Sequence, residues 1–327
     1  MTTNKPSGAS PFELAAREYM ISRVIQAAAA VHLFTSLAAR EQSAESLARL
    51  ARSSVQGIQG LLTALRALNI VAEVEGKWRL RPEVAAQFPD EETLAGLVGG
   101  YRDWLTLEEA VRSGAAQAEP SYRHDAASMQ QFLLGMHLSS LPVAQDLAAH
   151  LLPSAPRHIL DLGGGLGTYA LAICQRFAGA TATVLELPQV AAIGARLVAG
   201  SPLAERVRFL GGDYLASPFP SGNDLILMCN ILHQEKPGAV RRLFRKAAAS
   251  LLGAGWVIIH ETLVDDDENC GLAVALASLN SLLYYGGRNY GQGEVVKWLE
   301  AEGLVVRETR RTAEPGVRII IAQRPGP

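Results

Sequence analysis

A glycine-rich turn near the middle of the chain has the composition of a ligand-binding loop. A short apolar run is joined to a helical segment by Asp161-Leu162-Gly163-Gly164-Gly165-Leu166-Gly167. At such a junction in an open α/β sheet, glycines allow a sharp turn and a close approach of the backbone to a ligand. A dinucleotide fingerprint would need a further glycine at Thr168, and no Gly-Lys-Ser/Thr sequence follows to cradle a phosphate. The loop therefore favours a ligand without a polyphosphate.

Acidic residues at the ends of three predicted strands accompany this loop. Glu186 ends the second strand, where a carboxylate can accept hydrogen bonds from both hydroxyls of a ribose. Asp213 closes the third strand, in Gly211-Gly212-Asp213-Tyr214, where it could face an adenine amine beside the ring of Tyr214. Together with Asp161 they are expected to line one rim, whose negative charge suits a cationic nucleoside. The alternative is a helix-packing glycine turn with ordinary surface acids.

A histidine and a glutamate follow the next two strands. His233 comes after the fourth strand, and a neutral imidazole with a pKa near about 6.5 can take a proton from a hydroxyl within about 3 Å. Glu261 ends the fifth strand, where a carboxylate bonded to the distal ring nitrogen would fix the imidazole tautomer. The alternatives are a surface or helix-capping histidine and a plain strand-end acid. His260 points to the opposite face of the strand, so we assign it a structural role.

The second part of the chain has the pattern of a sheet that brings such strand ends together. From about residue 153, apolar runs alternate with helical segments, which predicts an α/β fold with parallel strands joined by right-handed crossovers. The predicted strands are 158–162, 183–186, 206–210, 224–228, 256–261, 304–308 and 317–322.

The first part of the chain is predicted to be mostly helical. Helical spacing of apolar residues runs from Pro11 to about Leu68, with helix starts near Ser43 and Ser54, and a hairpin follows over 70–80. Helices that end in a small hairpin indicate a winged-helix-like module. The predicted domains are 11–90, winged-helix-like; 91–152, a helical linker that contributes to a substrate pocket; and 153–327, the ligand-binding domain.

These motifs resemble those of the class I S-adenosylmethionine-dependent methyltransferases of the caffeic acid O-methyltransferase type. The resemblance rests on 161–167, 186–188, 211–213, 231–233 and 255–261, and extends over nearly the whole chain. It implies a Rossmann-like domain with a mostly parallel seven-stranded sheet, preceded by a mostly α-helical dimerisation domain. It also implies S-adenosyl-L-methionine as cofactor, S-adenosyl-L-homocysteine (SAH) as its product, and a homodimer formed through the N-terminal domain.

The resemblance assigns roles to individual residues. His233 would be the general base and Glu261 would orient it. The cofactor-binding residues would be Asp161, Gly163, Gly165, Gly167, Glu186, Leu187, Gly212, Asp213, Tyr214, Cys229 and Asn230. The acceptor pocket would contain Met129, Phe132, Met136, His137, Tyr284 and Asn289, although the methionines and aromatic residues among them could also be plain core. The expected reaction is O-methylation of a hydroxyl on an aromatic or polyketide-like small molecule.

Three departures from the family pattern leave other chemistry open. Gln234 stands where the family often has Asp, Cys229 where plant members have Lys, and Asn289 where the family has a second Glu. The alternatives are methylation of carbon or nitrogen, or a cofactor-assisted reaction that transfers no methyl group.

Composition restricts the partners and the compartment. The 327 residues carry a net charge of -2, and the helix 54–68 has Arg66 as its single basic residue, which argues against a nucleic-acid partner. The N-terminal residues are polar without a targeting signal, and the apolar stretch 24–37 is too short and too polar to span a membrane. Three widely separated cysteines favour a reducing compartment and no metal site. We therefore expect a cytoplasmic enzyme without a membrane partner.

Overall fold

The chain divides into two compact units between Leu105 and Thr106. The computed structural model describes residues 12, 15–86, 100–152, 154–264, 271–312, 314 and 316–326. The predicted helical linker, 91–152, contributes residues to each unit, and its residues 91–99 lie outside the described part, as do Pro153 and Cys270.

The N-terminal unit is built of short helices and one hairpin. Its helices are α1 (Tyr19–Ala30), α2 (Leu33–Ala39), α3 (Ala44–Leu50), α4 (Val55–Ala67), α5 (Pro82–Ala85) and α6 (Tyr101–Trp104). The hydroxyl of Ser43 caps α3 and that of Ser54 caps α4, since each accepts a backbone N–H of the first helical turn. Strands β1 (Val71–Val74) and β2 (Lys77–Leu80) pair antiparallel, as the sequence predicts.

Among the described residues, no single helix combines the length and apolar character of a membrane span. The pair α1 and α2 satisfies both criteria only when taken together, with a bend of 63° between the helices.

The C-terminal unit contains a seven-stranded sheet, which confirms the predicted α/β class. Its strands are β3 (His158–Leu162), β4 (Thr181–Glu186), β5 (Val207–Gly211), β6 (Asn223–Cys229), β7 (Leu251–Thr262), β8 (Val305–Arg311) and β9 (Val317–Gln323). Their order is β5-β4-β3-β6-β7-β9-β8. Five strands run parallel, and β9 lies antiparallel to both β7 and β8. The chain reverses direction across the sheet between β3 and β6, and ligands bind at such a switch point.

Helices cover both faces of this sheet. The helices of the C-terminal unit are α7 (Leu107–Ser113), α8 (Ala126–Asp146), α9 (Thr168–Arg176), α10 (Pro188–Val198), α11 (Pro237–Ser250), α12 (Gly271–Tyr285) and α13 (Gln292–Ala301), of which α9 and α11 lie on opposite faces of the sheet. A 3-10 turn, Ser121–Arg123, precedes α8, and a π turn, Leu147–Leu151, follows it. Ile159 and Leu160 are neighbours on β3 but belong to different hydrophobic clusters, because alternate residues of a strand face opposite sides. The buried sheet thus gives rigid support to the loops at its carboxyl edge.

Candidate active site

A cavity of about 1240 Å³ opens at the carboxyl edge of the sheet in the C-terminal unit. Its walls are the loops that follow β3, β4, β5 and β6, one side of α8, the 3-10 turn before α8 and the end of α12. Pockets for one small molecule typically measure about 300–1,000 Å³. This cavity therefore has room for two ligands side by side.

The glycine loop after β3 forms one wall of the cavity, and two of its glycines have no room for a side chain. Gly163 has a φ of 59°, and a Cβ on it would lie 2.7 Å from the Ile231 side chain. A Cβ on Gly164 would lie 2.5 Å from the Asp161 carboxylate. A Cβ on Gly165 would meet only Leu133, at 3.9 Å, so this glycine faces open space. The loop thus presents bare backbone to the cavity.

Asp161 lies beneath the loop and does not reach the cavity. It shares the face of β3 that carries Ile159, which α9 covers, and it is fully buried. Neither carboxylate oxygen has a hydrogen-bond partner among the described residues. Burial raises the pKa of Asp161 to about 7, and the nearby charge of Glu186 adds to the rise. The expectation that Asp161 lines the rim is wrong in this respect, since alternation along β3 turns its side chain under the loop.

Glu186 and Asp213 do line the cavity, as predicted. The Glu186 carboxylate accepts hydrogen bonds from the N–H groups of Gly165, at 3.2 Å, and Leu187, at 2.6 Å. Burial raises the pKa of Glu186, and these two N–H groups oppose the rise. Asp213 is exposed and accepts the N–H of Leu215 at 2.8 Å. Two carboxylates therefore stand at one end of the cavity, fixed by backbone donors of the loops after β3, β4 and β5.

Tyr214 connects this end of the cavity with the loop after β6. Its hydroxyl donates to the Glu235 carboxylate at 2.8 Å, and the backbone carbonyl of Glu235 accepts from Tyr290. Lys246 Nζ donates to the carbonyls of Tyr214 and Ser217. The loop after β5 is thereby held against the segment that contains His233.

The loop after β6 places His233 in a 3-10 turn, Leu232–Gln234. Asn230 begins this turn with a φ of 56°, a left-handed conformation that Asn adopts more readily than most residues. The turn is tied to β7 because the Glu261 carboxylate accepts the backbone N–H of Leu232 at 2.8 Å. His233 Nδ1 lies 2.8 Å from Oε1 of Glu261, which is 1% exposed.

The His233–Glu261 pair shifts both pKa values. Burial would lower the pKa of His233, but the charge and the hydrogen bond of Glu261 outweigh it, and the pKa is raised. Burial would raise the pKa of Glu261, but the charge and hydrogen bond of His233, with backbone donors, lower it. Because Nδ1 is engaged by the carboxylate, neutral His233 carries its lone pair on Nε2. This is the tautomer of a general base.

Aromatic and thioether side chains form the opposite wall. Met129, Phe132 and Met136 share one side of α8, since they are three and four residues apart, and they line the cavity together with His137. Tyr122 stacks on Phe132 with ring centroids 3.8 Å apart and an interplanar angle of 9°. Its hydroxyl lies 2.9 Å from that of Tyr285, whose ring is 6.2 Å from His233. The histidine therefore lies beside this aromatic wall.

Comparison with known proteins identifies the family. The family model described as an O-methyltransferase domain matches residues 104–304. The 3-hydroxy-5-methyl-1-naphthoate 3-O-methyltransferase of Streptomyces sahachiroi is 30% identical over 315 residues, which cover 92% of this chain and 91% of that protein. The chain belongs to the O-methyltransferase family. It is therefore a methyltransferase that depends on S-adenosylmethionine, as the motifs predict.

Two further proteins resemble this methyltransferase. The tetracenomycin polyketide synthesis 8-O-methyl transferase TcmO of Streptomyces glaucescens is 29% identical over 311 residues, 90% of each chain. The solved structure of PigF with SAH has a TM-score of 0.81 and 23% identity, and the match covers 97% of this chain and 99% of PigF. The structural likeness confirms the predicted fold.

Most residues predicted for the site gather at the methyltransferase cavity, and some do not. The predicted residues that line it, apart from those of α8, are Gly163, Gly165, Glu186, Leu187, Asp213, Tyr214, Cys229, Asn230 and Tyr284. His233 is not part of the lining, although Ile231, Gln234 and Tyr285 beside it are. Glu261 lies behind His233 and does not reach the cavity.

Gly167, Gly212 and Asn289 support the site from outside the cavity. A Cβ on Gly167 would lie 3.2 Å from Phe209, and one on Gly212 would lie 2.6 Å from Ser217, so both glycines allow close packing. Asn289 is 4% exposed, and its Oδ1 accepts from the Ser281 hydroxyl at 3.4 Å. Its Nδ2 has no partner among the described residues.

Sequence reasoning missed several residues of this site. Tyr122 and Arg123 line the cavity from a short turn that no motif marks. A Cβ on Gly287 would lie 2.2 Å from the carbonyl oxygen of His233, so this glycine lets the segment after α12 press against the 3-10 turn. The pair Gly286-Gly287 was the available signal for such a close approach.

Proposed function

We propose that this methyltransferase transfers a methyl group to the hydroxyl of a planar aromatic small molecule, with His233 as the general base. The observation that carries the proposal is the 2.8 Å contact between His233 and buried Glu261, next to Ile231, Gln234 and Tyr285, which line a cavity with a carboxylate-lined end and an aromatic wall. Membership of the O-methyltransferase family favours oxygen as the acceptor atom over carbon or nitrogen.

The carboxylate end fits S-adenosylmethionine. Glu186 has two oxygens at the cavity wall for ribose hydroxyls, and Asp213 offers an exposed acceptor for an amine. Gly163 and Gly165 present bare backbone to the cavity and so leave room for the nucleoside. A Cβ on Gly163 would disturb this arrangement, because it would lie 2.7 Å from the Ile231 side chain. Negative side chains at this end also suit the positive charge of a sulfonium. When bound, this cofactor supplies an electrophilic methyl group on sulfur.

The histidine pair fits proton removal from a phenol. A phenol has a pKa of about 10 and is mostly protonated at neutral pH, so a base that takes its proton raises its nucleophilicity. Nε2 of His233 would take this proton, while Glu261 holds Nδ1–H and stabilises the imidazolium that forms. The remaining contribution to the rate comes from holding the acceptor and the methyl donor in position within one cavity.

The aromatic wall supports a flat acceptor. The stacked pair Tyr122 and Phe132, the ring of Tyr285 and the thioethers of Met129 and Met136 suit a planar, apolar ring system. Two relatives agree with this class, since one methylates 3-hydroxy-5-methyl-1-naphthoate and the other acts in tetracenomycin polyketide synthesis by name. The acceptor is therefore proposed to be a fused-ring phenol.

A turnover assay tests this function. The purified full-length protein is incubated with S-adenosylmethionine and 3-hydroxy-1-naphthoate or its carboxamide, and SAH and the product are measured by mass spectrometry. We expect SAH in step with a product heavier by one methylene group, with the methyl group on oxygen by NMR. SAH release without a methylated product, or a methyl group on carbon, would contradict O-methylation.

We further propose that the N-terminal unit has a winged-helix-like arrangement and forms a homodimer. On α1, Tyr19, Met20 and Ile21 are 54%, 49% and 43% exposed, which supports an apolar contact between two copies. Light scattering of the purified protein should give twice the 34.9 kDa mass of one chain. A monomer at micromolar concentration would contradict this proposal. A cytoplasmic location is also proposed, because the two described cysteines, Cys174 and Cys229, are free.

A further inference from the structure

A cationic side chain lies at the aromatic wall with no function assigned so far. Arg123 lines the cavity from the 3-10 turn before α8, and its side chain is exposed. Its guanidinium carbon lies 6.0 Å from the ring centre of Tyr122 and 5.8 Å from that of Tyr285. Among the described residues, no carboxylate forms an ion pair with it. The guanidinium is thus oriented by two aromatic rings and keeps its hydrogen-bond donors.

We propose that Arg123 is a specificity residue that selects acceptors bearing a carboxylate on the aromatic ring. The inference rests on the proposed function, since it assigns the aromatic wall to the acceptor. A guanidinium presents paired N–H donors in a plane that matches the two oxygens of a carboxylate. Tyr122 and Tyr285 would then contact the ring system while Arg123 holds its acidic group.

The distances in the wall match such an acceptor. Tyr285 is close to both groups, with 5.8 Å from its ring centre to the Arg123 guanidinium and 6.2 Å to the His233 ring. The guanidinium and the imidazole are therefore no more than about 12 Å apart. In an aromatic acid with a hydroxyl meta to the carboxylate, the two oxygen groups are about 5–6 Å apart, so with one hydrogen bond of about 3 Å at each end the molecule can bridge separations up to about this limit. One molecule can accordingly reach both Arg123 and His233.

Two other charged residues that line the cavity, Glu119 and Arg196, give alternative accounts of how an acidic ligand would be attracted or repelled. Glu119 lines the same region and is exposed, and its carboxylate could neutralise Arg123 without a direct contact. Arg196 is also exposed at the cavity but belongs to α10, next to the loop of Glu186. If a general positive potential attracted acidic ligands, Arg196 would contribute as much as Arg123. A preference that depends on Arg123 alone requires a specific contact.

Calorimetry with ligands that lack a hydroxyl tests the inference without catalysis. Full-length protein saturated with SAH is titrated with 1-naphthoate and with 1-naphthamide, which have the same rings but differ in charge. We expect the acid to bind about 10-fold more tightly than the amide, the size of a charge-assisted hydrogen bond at a partly exposed site. Arg123→Gln should remove this preference, Arg123→Lys should keep part of it, and the matched variant Arg196→Gln should keep all of it.

Several results would overturn the inference. They are equal affinities in the unchanged protein, no binding of either compound up to millimolar concentration, a preference that survives Arg123→Gln, and an equal loss in Arg196→Gln. Glu119→Gln measures the influence of the neighbouring negative charge. This variant should bind the acid more tightly, because Glu119 weakens the positive potential around Arg123. The turnover assay with 3-hydroxy-1-naphthoate and its carboxamide reports on the proposed function separately. Methylation of both acceptors at equal kcat/KM leaves the proposed function standing and removes the role of Arg123.

Discussion

The two ends of the cavity are built in different ways. The carboxylate end consists of loops that leave four neighbouring parallel strands, and backbone groups fix its side chains, as Gly165 and Leu187 do for Glu186. The aromatic wall consists of side chains from α8, α12 and a 3-10 turn, which contact one another, as Tyr122 and Phe132 do. Strand register therefore determines the first end, whereas helix packing determines the second. We expect the first to bind one fixed compound and the second to set the choice of acceptor.

The largest effect is expected at His233, the proposed base beside the aromatic wall. His233→Ala removes the proposed base, so kcat should fall by about 10²–10⁴-fold, the usual contribution of a positioned base. The dissociation constant for SAH should stay within about twofold, because the carboxylate end does not contain this side chain. Single-turnover rates and calorimetry measure the two quantities.

His150→Ala is the matched control for this change. His150 lies in the π turn, and its side chain is 70% exposed. This variant should keep full activity. A His233→Ala enzyme with unchanged turnover would exclude His233 as the base.

The glycine loop offers a way to damage the carboxylate end alone. In Gly164→Val the new Cβ would lie 2.5 Å from the buried Asp161 carboxylate, so the loop must shift. A shifted loop would no longer hold the Glu186 carboxylate through the N–H of Gly165, and we expect SAH affinity to fall by about 10-fold, the size of one charge-assisted hydrogen bond. The affinity of 1-naphthoate should change much less. Calorimetry with each ligand decides the point.

Gly179→Ala is the control for the loop variant. No atom lies within 4 Å of a Cβ at Gly179, so this change should leave both affinities unaltered. An unchanged SAH affinity in Gly164→Val would mean that the cofactor does not contact this loop.

The pair of His233 and Glu261 gives a prediction about pH. The pKa of His233 is raised above its usual value of about 6.5, so the neutral base and kcat/KM should increase with pH through a midpoint above about 6.5. In Glu261→Gln only burial remains to shift this pKa, so the midpoint should move to lower pH, and kcat should fall about 10-fold as the ring loses its orientation. A midpoint that does not move would show that another group controls the profile.

The same pair has a consequence for stability. A group whose pKa is raised on folding stabilises the fold below its unfolded pKa, and this contribution disappears as pH increases through the raised pKa. The contribution of His233 should therefore be complete below about pH 6.5 and decline above it. Chemical denaturation at a series of pH values, with Glu261→Gln as reference, measures this decline.

The sequence predicted the carboxylate end better than the aromatic wall, and the reason is physical. The glycine loop and Glu186 are recognisable because residue type and position in a parallel strand together fix where a side chain lies. For Asp161 the sequence predicts a place at the rim, whereas its side chain lies beneath the glycine loop. That placement depends on how α9 packs on β3, which residue spacing does not determine. Tyr122 and Arg123 were not predicted, because a three-residue turn has no hydrophobic periodicity. The position of this turn in the fold depends on contacts with Tyr285, which is distant in the sequence.

The smallest expected effect tests whether the aromatic wall acts as a unit. Tyr285→Phe removes the 2.9 Å hydrogen bond to Tyr122, and a net hydrogen bond of about 0.5–1.5 kcal/mol corresponds to roughly a two- to tenfold increase in acceptor KM. Tyr122→Phe removes the same bond and should have the same effect, so the double variant should be no worse than either single one. SAH affinity should be unchanged in all three variants. Additive losses in the double variant would mean that each hydroxyl contacts the acceptor separately, and the aromatic wall would then recognise its ligand through individual polar contacts instead of through a shared, rigid surface.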